Sequence, residues 1–166
     1  MVEKDKITEE KVKFSGIFEF KDTYQFVYNW LVDEDYTVEE EKYSETISGD
    51  TKGIEINWKA TKKVSDYFRN EIKLGWRIIG MSNVEVEKNG KKIKMNKGNI
   101  ELKIVGSLSR DYMGKWDSNA SMKFLRGGYD KYIIEGTMKG YNGKVFGDVS
   151  MIAEQLKAFL AIEGLK

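Results

Sequence analysis

The 166 residues contain no histidine, no cysteine and no proline, and 28 basic residues against 27 acidic ones leave a formal net charge of +1. That composition excludes imidazole acid–base chemistry, thiolate nucleophiles, disulfides and Cys- or His-rich metal centres, and it offers no global field to recruit a polyanion. With 40% hydrophobic and 13% aromatic residues, a single α+β domain with a substantial core is expected over residues 12–166.

Met1 to Lys11 is charged and aperiodic and reads as a solvated tail, residues 1–11. It lacks the apolar core of a signal peptide, and no apolar run approaches the roughly 20 residues that span a bilayer. The expected location is therefore the cytoplasm, or an assembly made there. Val12, Phe14, Phe18 and Phe20 then share one face of a strand. Asp22 or Thr23 is suited to cap a helix, and Phe26, Val27, Trp30 and Leu31 form its apolar stripe, which ends near Asp33 to Asp35.

From Tyr36 the period returns to 2. Tyr36 to Ser48 is charged and weakly patterned, which suits a sheet edge. Ile54, Ile56, Trp58, Ala60 and Val64 alternate with polar residues, as do Phe68, Ile72, Leu74, Trp76 and Ile78. Val84 to Lys88 and Lys91 to Asn96 flank Asn89-Gly90, the signature of a type I′ hairpin turn. Ile100, Leu102, Ile104 and Leu108 complete a count of seven strands, antiparallel by their short connections. Arg110 to Ala120 reads as a loop, followed by a helix capped at Ser118 or Asn119 and carrying Met122, Leu125 and Tyr129.

Met138, Tyr141, Val145, Val149, Ile152, Leu156 and Phe159 recur at steps of 3 or 4. On a helix, Gly136, Gly140, Gly143 and Gly147 fall together on the opposite face, each less favourable than alanine by about 1 kcal/mol. Two readings stand side by side. A long helix would use the glycine face for close approach of another backbone, within the fold or from a second subunit. Alternatively, Asn142-Gly143 turns a hairpin between Tyr132–Tyr141 and Lys144–Ser150, with helix from Ser150 onward. The unbroken 3/4 spacing favours the helix.

This order of strand, helix, six strands and long C-terminal helix resembles the helix-grip architecture of START-domain and birch-pollen-allergen-like proteins. The resemblance is one of element order over about residues 12–163. It implies a curved antiparallel sheet packed on the C-terminal helix, with a cavity between them. Gly53 to Lys63 and Val84 to Lys88 also resemble small archaeal proteins of no known function.

On that architecture, Trp58, Phe68, Ile72, Leu74 and Trp76 from the sheet, with Met138, Tyr141 and Val145 from the helix, would wall a pocket for a small hydrophobic ligand. The same side chains serve equally as ordinary core. Gly136, Gly140, Gly143 and Gly147 are the candidate interface residues. Lys88, Lys91, Lys92, Lys94 and Lys97 surround the hairpin turn without interleaved aromatics, so a solvated tip is expected and nucleic acid is not. Glu39, Glu40 and Glu41 lack the loop spacing of a cation site. Asp111, Asp117 and Asp130, with Arg110 and Arg126, read as surface pairs. No motif specifies a nucleophile, metal or cofactor. The expectation is a non-catalytic binding protein holding a small hydrophobic ligand, with a structural subunit of a multicopy, viral or filament-like, assembly as the alternative.

Overall fold

Five long strands carry the alternation. The computed structural model describes residues 3–65, 67–110 and 135–165, and the side-chain surroundings of 4–65, 67–110 and 140–162. In chain order the elements are β1 (Glu3–Phe18), α1 (Phe20–Asp33), β2 (Thr37–Ser48), β3 (Thr51–Lys63), β4 (Phe68–Lys88), β5 (Lys91–Arg110) and α2 (Glu135–Leu165). All neighbouring strands are antiparallel, in the order β1-β5-β4-β3-β2. The α+β class and the long C-terminal helix are as expected, and the arrangement is compatible with a helix-grip-like architecture.

The sheet has five strands, not the expected seven. β4 runs for 21 residues and β5 for 20. What looked like an interruption near Gly80 is a bulge: Gly80 takes φ +63°, and the register shifts between Ile79 and Ser82. A bulge bends a strand without ending its pairing, so Val84 still faces Met95 and Val86 faces Ile93. At the turn, Asn89 and Gly90 take φ of 54° and 78°, as a type I′ hairpin requires.

β1 begins at Glu3, inside the stretch read from sequence as a tail. Its support is cross-strand and ionic. Lys11 lies 3.3 Å from Glu101, Glu9 3.7 Å from Lys103, and Asp5 3.1 Å from Arg110. α1 starts earlier than expected, at Phe20, with Glu19 rather than Asp22 or Thr23 preceding it. The Asn96 side chain of β5 accepts the Phe20 backbone N–H at 2.9 Å, so the cap comes from another element. β2 is the sheet edge that its charge suggested.

α2 is helical from Glu135, so Asn142-Gly143 does not turn a hairpin. Val145, Val149, Ile152, Leu156 and Leu160 are buried along one side. Both helices cover the same face of the sheet. Phe20, Tyr24 and Tyr28 of α1 reach Trp76 and Trp58 on β4 and β3, and Phe26 stacks on Phe159 of α2 at 4.6 Å. The expected loop after Arg110 and the expected helix with Met122, Leu125 and Tyr129 lie outside the described residues, as do Asp111, Asp117, Arg126 and Asp130. No described helix is long and apolar enough to cross a membrane.

Candidate functional site

The expected pocket wall comes first. Trp58, Ile72, Leu74 and Trp76 are buried in one cluster with Val149, Ile152 and Leu156 of α2. The two indoles meet edge to face at 5.7 Å. Phe68 belongs to a second cluster with Leu108, and its ring lies 5.0 Å from Tyr141. Val145 and Val149 seat directly on β5 at Gly106, where an added Cβ would lie 2.7 Å from a methyl group of each. Sheet and helix are thus in van der Waals contact along this line. The Trp76 Nε1 is buried without a hydrogen-bond partner. Met138 and Gly136 belong to α2, outside the residues whose side-chain surroundings are described.

A polar clasp lies between α2 and the sheet. The buried Tyr36 hydroxyl donates to Asp148 Oδ2 at 2.7 Å, and Lys144 Nζ donates to Asp148 Oδ1 at 3.0 Å. Lys144 also lies 3.6 Å from Glu34. Burial, followed by the Asp148 carboxylate, pushes the Tyr36 hydroxyl well above the ordinary tyrosine range. The bond to Asp148 likewise raises Lys144. Both Asp148 oxygens are occupied, and Tyr36 is held neutral, so the clasp fixes α2 rather than offering a free acid or base. Asn70 lies beside the Tyr36 hydroxyl, fully buried, with neither amide atom in hydrogen-bond geometry.

A second buried carboxylate lies on β4. Glu71 is 2% exposed and faces Lys4 at 3.0 Å and Lys59 at 3.6 Å. Sequence reasoning missed both clusters because neither forms a motif. The one signal was Asp148, a charge adjoining the apolar stripe of α2.

The described concavities lie away from the helix–sheet joint. The largest, about 310 Å³, is bounded by Ser44, Thr46, Gly53, Glu55, Arg77 and Ile79. Another, about 250 Å³, sits over Gly75 beside Asn57, Lys73 and Lys103. The first is mainly polar, while the second also touches Trp58, Leu74 and Val105 and is mainly apolar; both are at or below the lower bound of ordinary small-molecule pockets. Among the described residues, no three acidic side chains gather to hold a metal ion.

The outward face of α2 is the largest unpartnered feature. Gly140, Gly143 and Gly147 are exposed, and a Cβ added to any of them meets nothing within 4 Å. The stripe continues through Met151, 46% exposed, and through Ala158 and Ala161. Phe146 and Ile162, 53% and 54% exposed, flank it. Glu154 is the one charge on its centre line among the described residues. Exposed Lys144 and Lys157 border the stripe alongside Ile162 and Phe146, so the face has a small, apolar centre and partly charged margins. Gly140, Gly143 and Gly147 thus share an exposed face of α2 and make no close packing with the described residues.

No family model matches this chain, and neither the curated proteins nor the solved structures give a match.

Proposed function

We propose that this chain is a non-catalytic binding protein whose partner is a further copy of itself, making it a subunit of a multicopy assembly. The observation that carries this reading is the outward face of α2. Three glycines that weaken the helix by about 1 kcal/mol each have open space around them, and exposed Phe146, Met151 and Ile162 stand beside them. Small residues let a second helix approach closely, while the larger apolar side chains supply area to bury. A symmetric pair of such faces is self-complementary.

One observation favours a second reading, a small apolar ligand between sheet and α2. The buried Trp76 Nε1 lacks an acceptor, and a ligand with one polar oxygen would satisfy it. Native mass spectrometry separates the two. Self-association predicts integer multiples of the chain mass with no added component. A monomer carrying a co-purified small molecule would overturn it in favour of the ligand.

A further inference from the structure

β4 and β5 outlast the rest of the sheet. β3 follows β4 only to Met81, and β1 follows β5 only to Asn96. Beyond those points, Asn83 to Met95 is a two-stranded arm paired, among the described residues, solely with itself. An isolated ribbon of this kind is marginal unless something covers its apolar face. Val84, Val86, Ile93 and Met95 share that face; Met95, at the base, is buried, and the other three are half-buried. They join neither of the hydrophobic clusters described above.

The arm is also basic. Lys88, Lys91, Lys92 and Lys94 against Glu85 and Glu87 give it a net charge of +2, and Lys97 stands at its base. Among the described residues none of these lysines has an ion-pair partner. The matching surface is on the same molecule. β2 is an edge strand paired only with β3, so its outer backbone groups lack a strand partner. Glu39, Glu40, Glu41 and Glu45 against Lys42 give it a net charge of −3. It also exposes Tyr43 and Ile47, at 51% and 72%.

We propose that the basic arm of one copy docks on the acidic β2 edge of the next, head to tail. The arm brings an apolar face and free cations, and the edge brings exposed apolar side chains, carboxylates and unpaired backbone groups. Strand addition at an open edge is an established mode of recognition. A protein edge fits the arm better than a polyanion does, because β2 offers strand-edge backbone groups and the exposed Tyr43 and Ile47 in addition to its carboxylates. The contact is heterologous, so repetition builds a ring or a filament. It extends the proposed self-association and uses a surface separate from α2.

Sedimentation velocity on charge-reversed variants tests this contact. Lys91→Glu/Lys92→Glu/Lys94→Glu alters the arm, and Glu39→Lys/Glu41→Lys alters the edge. Circular dichroism checks that each variant folds. Each reversal alone is expected to remove the largest species seen for the wild type. Combining both in one chain, or mixing the two variants, is expected to restore it. Unchanged assembly in the arm variant, or no recovery in the combined chain, would overturn the proposal. So would an arm reversal whose sole effect is lost retention of DNA, which would make the arm a polyanion site. If Gly140→Leu/Gly143→Leu leaves assembly intact while arm reversal dissolves it, the α2 reading falls and this contact stands. The opposite pattern sinks this contact alone, and a wild type that is monomeric throughout overturns both.

Discussion

Tyr36 and Asp148 form a buried hydrogen bond across 112 residues of sequence. Asp148→Ala leaves the Tyr36 hydroxyl buried without an acceptor, and stability should fall by about 1–3 kcal/mol in urea unfolding. The same pair sets a pH dependence. Tyr36 ionises less readily folded than unfolded, because burial and Asp148 both oppose the phenolate. The stability it contributes is therefore complete below the unfolded tyrosine value of about 10 and declines as pH rises beyond it. Lys144, also raised by Asp148, acts in the same direction and range. With no histidine in the chain, the stability curve should be flat near neutrality and fall in alkali. Tyr36→Phe should make the alkaline fall shallower. An alkaline limb identical to wild type would show that Tyr36 does not carry this dependence.

Among the elements, α2 is buried along one side and left open on the other, and its tightest seat is at Gly106. Gly106→Ala would drive a methyl group against Val145 and Val149, both 2.7 Å from the new Cβ. β-Branched side chains in a helix have little rotamer freedom with which to yield. A loss of about 1–3 kcal/mol is expected, partly recovered by Val149→Ala, as read by thermal unfolding. Alanine at Gly140, Gly143 or Gly147 meets nothing, and each should stabilise the monomer by about 1 kcal/mol. A destabilising result there would mean that the glycines are required within the chain. The apolar side of α2 and the inner faces of β3 and β4 were legible in the sequence because period and burial coincide in them. The Val12–Phe18 half of β1 was legible too, but Glu3–Lys11 was not, because it pairs with a strand about a hundred residues away and its support there is largely ionic. The strand count failed twice: at Gly80, where β4 bulges without ending, and at Lys97 to Asn99, where β5 runs on unbroken. Tyr36, Asn70 and Asp148 were invisible as a cluster because three different elements supply them. The glycine stripe was legible as a pattern, yet only the structure separates open space from close packing.

Among the described residues, the two helices and the sheet enclose one main core and leave three surfaces without a partner: the outward side of α2, the β4–β5 arm and the β2 edge. Charge keeps the β2 edge and the arm soluble, while small residues keep α2 approachable. On the proposed reading, the α2 contact should be concentration-dependent and comparatively insensitive to salt, since the centre of that face is largely uncharged. The arm contact should weaken as salt rises. The most direct test is light scattering coupled to size-exclusion chromatography across a wide concentration range, on the wild type beside Gly140→Leu/Gly143→Leu. The wild type should rise above the 19.2 kDa of one chain as concentration increases, with the variant reduced in mass at every concentration. A wild type that stays at the mass of one chain throughout would contradict the account.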